Sequence, residues 1–541
     1  MNKSRVIAVL SFGAFSLFVP PARPGSMPAA PCDQLVHLDI LNTKITSAEI
    51  IAAGAFTPPS TSTPWLVGDP KLYKQLPAFC RLVASSNPSP DSSITIEIWM
   101  PAAAWNGKFR GQGNGGFAGE IGYGALASAL AQGYATAATD TGHAAAGTDA
   151  TWALNHPEKI VDFAWRAIHE MTLAGKAAVK AFYGDSPKRS YFASCSNGGR
   201  QALMEAQRFP DDYDGILAGA PANYWTHLLS GALYNAQATT LDPASYIPAA
   251  KITAIANAVN AACDSKDGVT DGVLNDPRQC RFDPAVLLCK AADSDSCLTQ
   301  PQVTALKKLY DGAHDSHGTQ IFPGFLPGGE DGPGGWSPWI TGQAPGKSLL
   351  FAFGGGFFSD MLYGDAGWDY KKANLDDAVA TADKKFAGVL NAVETNLKPF
   401  ESHGGKLIIY HGWNDAAISA LNSISYFENV GAKMGPAERD SFVRLFMVPG
   451  MQHCGGGPGP DVFGEDGTSF LKDPQHNMYL ALEQWVENGA APSTVIASKV
   501  AGGSSPVVKE TRPLCAYPKI AKYKGSGDTN DASNFTCSPA N

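Results

Sequence analysis

Between a short strand-like run at 189–193 and a helical stretch at 198–209 lies Ser194-Cys195-Ser196-Asn197-Gly198. No other feature constrains the chain as strongly. A serine at the apex of a tight strand-to-helix turn must be flanked by small residues, or the strained turn cannot close. The usual pattern is G-x-S-x-G; here Ser194 replaces the first glycine, a change that a small side chain tolerates. In such a turn Ser196 presents its hydroxyl at a helix N-terminus, and the backbone N–H of Asn197 points at a developing oxyanion. A serine in a small-residue turn is ordinary by itself, so the rest of the chain must decide what it does.

The flanking pattern is one of strands alternating with helices. Ser93-Ile-Thr-Ile-Glu-Ile-Trp-Met100 alternates apolar and polar residues as a half-buried strand does. Strand-like runs follow at 108–110 and 134–138. A long helical pattern covers 161–183 and stops at Gly184, and Pro210 ends the helix after Ser196. The rhythm resumes after about residue 401, with strands expected at 406–410 and 443–448. This alternation argues an α/β sheet covered on both faces. The middle, 224–400, differs: cysteines cluster, glycine runs such as 327–335 appear, and Trp336, Trp339, Phe357, Phe358 and Trp368 are scattered among them. It is read as an inserted subdomain, dividing the sheet into 31–223 and 401–541. A chain of 541 residues has room for such an insertion. The 57 glycines and 38 prolines follow no collagen period and signal a loop-rich enzyme.

A serine hydroxyl is a weak nucleophile and needs a base, which in turn needs an orienting acid. In strand–turn–helix serine enzymes the chain order is serine, acid, histidine. Asp415 follows the expected strand at 406–410, in His411-Gly-Trp-Asn-Asp415. His453 follows the strand at 443–448, in Pro449-Gly-Met-Gln-His453-Cys454. Only His453 and His476 come after Asp415, and His476 opens a helix-like segment. His411 is a rival base, but it precedes the acid and breaks the order.

The ten cysteines lie at 32, 80, 195, 263, 280, 289, 297, 454, 515 and 537, with no CxxC spacing. Proximity pairs Cys263 with Cys280, Cys289 with Cys297, Cys515 with Cys537, and Cys32 with Cys80. Cys195 and Cys454 remain, far apart in sequence. One precedes the candidate nucleophile and the other follows the candidate base, a coincidence on the order of one in a thousand by chance. A bond between them would hold their α-carbons within about 7 Å and force Ser196 and His453 into one small volume. Closing so long a loop could also stabilise the fold by several kcal/mol in the loop-entropy model.

With Cys195-Ser196, Asp415 and His453-Cys454 in this order, the sequence resembles the tannase and feruloyl esterase family of secreted serine esterases. The resemblance runs from about Cys32 to Cys537. It implies an α/β-hydrolase core, an inserted, disulfide- and calcium-stabilised lid, a five-disulfide pattern, and a disulfide joining the neighbours of serine and histidine. It also implies hydrolysis of esters of aromatic acids such as ferulic or gallic acid. Members acting on mono(2-hydroxyethyl) terephthalate share the architecture.

Two further motifs gain meaning from this resemblance. Gly111-Gln-Gly-Asn-Gly-Gly-Phe-Ala-Gly119 is similar to the family's glycine-rich oxyanion loop, in which a backbone N–H turns inward unobstructed. Gly115 is the expected donor and Gly116 its close competitor. A nucleotide-binding loop is disfavoured, since the G-x-G-x-x-G spacing with its helix and acidic residue is missing. Asp264-Ser-Lys-Asp267-Gly-Val269-Thr-Asp271-Gly-Val273 places three carboxylates within eight residues, able to wrap a hard cation. It fails the EF-hand template, and a solvated acidic turn is the alternative reading. The loop resembles the family's lid calcium site, which implies side-chain ligands from Asp264, Asp267 and Asp271 and carbonyls from Val269 and Val273. Such an ion would be structural, and no organic cofactor is expected. His314 and His317 are read as surface residues, because two histidines without further spaced ligands make a poor metal pair.

At the N-terminus Lys3 and Arg5 precede an apolar run at 6–19, followed by prolines and small residues to Ala30. Residues 1–30 are therefore read as a signal peptide, and the protein as secreted or periplasmic. A run of about 14 residues is short of the ~20 that a membrane span needs. The net charge of −9, without a basic run, disfavours a nucleic-acid partner. A serine peptidase would use the same triad, but no acidic amine-recognising pocket or propeller domain is apparent. A calcium-held carbohydrate-binding or adhesion module, the non-enzyme alternative, would need no triad. The expected partner is a small aromatic ester, free or attached to plant polysaccharide or polyphenol. No arginine occurs between Arg281 and Arg439. A lid built to grip a free carboxylate would be expected to use arginine's bidentate fork. That leans away from terephthalate monoesters and towards feruloyl esters, with galloyl esters as the alternative.

Overall fold

The computed structural model describes residues 28–60, 66–465, 471–502 and 506–540. Most of the expected signal peptide, residues 1–27, lies outside the described residues. In chain order the first strands are β1 (Thr43–Ile51), β2 (Phe79–Ser86), β3 (Ile94–Pro101), β4 (Lys108–Gln112), β5 (Ala135–Thr139), β6 (Arg189–Cys195) and β7 (Gly215–Gly219). A small hairpin of β8 (Gly312–His314) and β9 (Gln320–Pro323) precedes β10 (Lys406–Gly412) and β11 (Val443–Val448). One nine-stranded sheet has the order β1-β2-β3-β5-β4-β6-β7-β10-β11. It is antiparallel from β1 through β3 to β5 and parallel from β5 to β11.

Burial on both faces explains why the central strands are apolar without interruption. In β10, Leu407 and Ile409 enter one core with Phe109, Phe192, Ile216 and Leu445. Ile408 between them points into the opposite core with Tyr191, Leu217 and Phe446, the two-residue period of a strand. The helix Ala167–Tyr183 seals the first face through Met171, Ala178, Val179 and Phe182. The helix Met478–Asn488 seals the second through Met478, Leu482 and Trp485. The helical pattern expected at 161–183 starts earlier, at Pro157, and widens into a π-turn over Asp162–Arg166. There the buried Asp162 accepts from Ser92 and Arg166.

After β4 the chain adds β5 on one side, and β6 then pairs on the other side of β4. The order reverses at β4, so the loop after β4 and the turn after β6 face one crevice at the carboxyl ends of the parallel strands. Between β7 and β10 the chain leaves the sheet. That stretch builds a core of its own from Ile255, Val259, Leu306, Leu309, Phe325 and Trp336. It also shares one with the sheet side, where Trp225, Phe357, Phe358 and Phe386 meet Phe117 and Phe163. Two antiparallel pairs close the chain: β12 (Thr494–Ala501) with β13 (Val507–Cys515), and β14 (Lys519–Tyr523) with β15 (Phe535–Pro539). The cysteines are bonded as Cys32–Cys80, Cys195–Cys454, Cys263–Cys280, Cys289–Cys297 and Cys515–Cys537.

Candidate active site

Ser196 occupies the turn between β6 and the helix Asn197–Arg208, with φ 67° and ψ −123°. That left-handed backbone is costly for a residue with a side chain and persists because the surroundings fix it. The Ser196 N–H donates to the Gly219 carbonyl of β7 (2.9 Å), and its carbonyl accepts from Ala222 and Arg200 (3.1 Å each). Ser194 accounts for two glycines nearby. A Cβ on Gly198 or on Gly113 would collide with the Ser194 side chain, which fills the space between them. The missing first glycine of the motif is thus compensated across the crevice.

The side chains form a chain of hydrogen bonds. Ser196 Oγ lies 2.9 Å from His453 Nε2, and His453 Nδ1 lies 2.8 Å from Asp415 Oδ2. Asp415 sits in the loop after β10 and His453 in the loop after β11; β7 alone separates these adjacent strands from β6, so one side of the parallel sheet presents all three groups. Asp415 is buried, yet each carboxylate oxygen is satisfied. Oδ1 accepts from the N–H groups of Ala417 (2.8 Å) and Ile418 (2.9 Å), and Oδ2 faces His411 Nε2 at 3.1 Å as well as His453. Burial by itself pushes this carboxyl's pKa up. The charge of His453 and the hydrogen bonds from both histidines outweigh it and hold the group well below the usual carboxylate range. The Cys195–Cys454 bond brings the two neighbours to a Cα–Cα distance of 6.0 Å across 259 residues.

The cleft beside Ser196 is lined by Trp225, Leu228, Leu229, Trp339, Leu350 and Phe353, together with Ala417 and Ile418. The Trp339 ring meets the His453 ring edge-on, with centroids 5.0 Å apart. Asn197 and Gly116 also line the cleft, whereas Gly115 is exposed and does not. Gly116 has φ +57°, and a Cβ there would strike the Gly147 carbonyl. The glycine loop is tied to the helix after Ser196: Gln201 Oε1 accepts from Asn114 N–H (3.1 Å) and Gln201 Nε2 donates to Asn114 Oδ1 (2.7 Å). Nucleophile turn and glycine loop are therefore held as one unit.

A model of the family described as tannase and feruloyl esterase matches residues 80–538. The chain belongs to this family. It is 42% identical over 535 residues to an uncharacterized esterase of Xanthomonas campestris pv. campestris, covering 94% of this chain and 91% of that protein. It is 33% identical over 514 residues to a probable feruloyl esterase B-1 of Aspergillus fumigatus, covering 93% of each. The crystal structure of feruloyl esterase B from Aspergillus oryzae superposes with a TM-score of 0.84 at 32% identity, covering 94% of this chain and 99% of that one. As a tannase and feruloyl esterase family member, the protein is a carboxylic ester hydrolase with an α/β sheet core.

Against that family frame, the acidic loop is arranged differently from the cleft. Asp264 Oδ1 accepts from Gly272 N–H (3.0 Å), Asp267 accepts from Val269 and Asn275 (3.0 Å each), and Asp271 accepts from Val273 (3.0 Å) and from Arg512 (2.6 Å). The three carboxylates are not among the described side-chain groups that converge within 4.8 Å. Their donor chemistry still fits a hard cation, since every group is an oxygen; of the three, Asp271 is the one hydrogen-bonded to the Arg512 guanidinium. Burial raises the Asp267 pKa against the hydrogen bonds from the Asn275 and Val269 N–H groups, with the Asp271 charge adding a smaller push upward. His314 is half-buried against the Gly312 carbonyl and His317 is exposed.

Sequence reading missed most of the cleft wall. Of the aromatics singled out in 224–400, Trp339 reaches the cleft, while Trp336, Phe357 and Phe358 are buried in cores. Trp225 and Phe353 carry no local signal, because their roles depend on how helices after β7 fold back over the sheet.

Proposed function

We propose that this esterase is a serine enzyme acting on esters of aromatic acids, feruloyl esters first, through an acyl-enzyme. The observation that carries the reading is the Ser196–His453–Asp415 hydrogen-bond chain opening on a cleft walled by aromatic and aliphatic side chains. His453 Nε2 accepts the Ser196 proton as Oγ attacks the ester carbonyl. Asp415 Oδ2, accepting from Nδ1–H, holds the ring and stabilises the imidazolium that forms. The N–H groups of Asn197 and Gly116 are the oxyanion donors this reading favours, with Gly115 displaced from its expected place by its exposure. His453 then returns the proton to the leaving alkoxide. Water, deprotonated by the same nitrogen, releases the aromatic acid.

The wall residues 225–353 come from the inserted segment, which supports its role as a lid over an α/β-hydrolase core. Apart from His453, the cleft lining has no ionisable side chain among the described residues. A neutral phenolic ring suits it better than a free terephthalate carboxylate, which would be left unpaired. Galloyl esters are the second reading, since the family includes tannase as well. A structural Ca2+ would be held by Asp264, Asp267 and Asp271 with the carbonyls of Val269 and Val273. The proposed chemistry runs through the chain's own residues. Five disulfides support export to an oxidising compartment. Comparing kcat/KM on methyl ferulate, methyl gallate and a terephthalate monoester tests the substrate. A preference for the monoester would overturn it.

A further inference from the structure

His411 is the penultimate residue of β10, four residues before Asp415, and is completely buried. Its ring has three polar neighbours. Nε2 lies 3.1 Å from Asp415 Oδ2 and 3.1 Å from the Ile418 carbonyl, and Nδ1 lies 2.7 Å from Ser423 Oγ. Both partners of Nε2 are acceptors, so Nε2 carries the hydrogen and shares it between them. Ser423, in the first turns of the helix Ala420–Met434, can donate its hydroxyl to Nδ1 and thereby fix this tautomer. Asp415 Oδ2 is thus gripped by two imidazoles, while Oδ1 is gripped by two backbone amides.

The geometry points to His411 as a positioning residue for the acid of the triad, with Ser423 as the group that sets its tautomer. The assignment rests on the serine-esterase reading above. A carboxylate that accepts from His453 alone on Oδ2 could rotate or swing; with His411 on the same oxygen, the acceptor stays aligned with His453 Nδ1–H. His411 also takes part of the Oδ2 charge. Asp415 and His453 are the titratable groups of this network, reached from the loops after β10 and β11. Removing the His411 donor leaves more of the Asp415 charge for the imidazolium of His453, which would then hold its proton to higher pH.

The test compares His411→Phe, His411→Gln, Ser423→Ala and Ser196→Ala in the full chain on methyl ferulate. The expected result for His411→Phe is a fall in kcat of about 10- to 100-fold, KM within about twofold, and an acid limb of kcat/KM moved to higher pH. His411→Gln, whose amide nitrogen can take the place of Nε2, should recover most of the rate and return the limb. Ser423→Ala should follow His411→Phe weakly. Nitrogen-15 NMR of the histidine rings should show His411 protonated on Nε2 and bare on Nδ1. Wild-type kcat and pH profile in His411→Phe, with Ser196→Ala inactive, would overturn the role of His411 alone. An active Ser196→Ala would overturn the serine reading beneath it. Should His411→Phe fail to fold, the NMR decides: a proton on Nδ1 of His411 ends the assignment.

Discussion

Two loops of this molecule are each fastened by a cystine, and the fastening does different things. Cys195–Cys454 spans 259 residues and joins the turn after β6 to the loop after β11, beside groups whose hydrogen bonds are already complete. Cys263–Cys280 spans 17 residues and closes a loop of aspartates on itself. At the first site the acid accepts from two imidazoles and two amides. At the second, three acids accept chiefly from their own loop, and Arg512 donates to Asp271. A long-range bond adds position to a finished network. A local bond adds shape to a loop rich in carboxylates.

The largest effects should come from the finished network. Ser196→Ala, His453→Ala and Asp415→Asn should each lower kcat by about 10⁴-fold or more, with circular dichroism and melting cooperativity retained. A fully active Asp415→Asn would send the search to another acid. Next comes the contrast between the cystines themselves. Replacing Cys195 and Cys454 by serine should lower kcat on the order of 10- to 100-fold, because it loosens two reacting groups. Replacing Cys263 and Cys280 should lower the melting temperature and leave kcat at low temperature within about twofold. Equal kcat losses in the two double variants would erase the distinction drawn above.

Chelation sharpens the same contrast from the other side. Removing a bound cation with EDTA should lower the melting temperature by several degrees, with low-temperature turnover surviving, because binding to the folded state adds to folding free energy. Asp267→Ala should reproduce the loss and make the protein insensitive to EDTA. Immediate loss of turnover without structural change would make the ion catalytic and the structural assignment wrong.

The unequal legibility of these regions in the sequence has a physical cause. Ser196, Asp415 and His453 each follow a strand whose apolar run is visible on its own, and their chain order is set by the sheet. The neighbours Cys195 and Cys454 then report a contact across 259 residues that periodicity never could. The wall residues Trp225, Trp339 and Phe353 are apolar residues among many, and only the packing of the segment after β7 selects them. His411 is visible in the sequence as a histidine beside the acid, where it reads as a rival base. Its orientation depends on Ser423 twelve residues on, in the next helix. Gly115 and Gly116 could not be separated either, since a single φ of +57° and a close carbonyl at Gly147 distinguish them.

The smallest expected effect concerns a second, half-buried acid that lacks what Asp415 has. Asp140 follows β5 and accepts from the N–H groups of Thr95 (2.9 Å) and Gly142 (2.8 Å). Two amides also serve Asp415 Oδ1, but among the described residues no imidazole bonds Asp140. Burial therefore wins, helped by the charge of Asp162, and the Asp140 pKa is pushed up to about 6. A carboxyl whose pKa is higher in the folded than in the unfolded chain stays protonated while the unfolded chain ionises. Stability is thus lost as pH rises from about 4 to about 6 and does not return above that. For Asp415 the sign is reversed: its contribution is present above the unfolded pKa and is lost only as pH falls through the depressed folded value. Asp140→Asn keeps an acceptor for both amides and removes the ionisation. It should raise stability on the order of 1–2 kcal/mol at pH 7 and change little at pH 4. Denaturant melts at the two pH values check this. A variant less stable than the wild type at pH 7 would mean that Asp140 is ionised and compensated there, as Asp415 is.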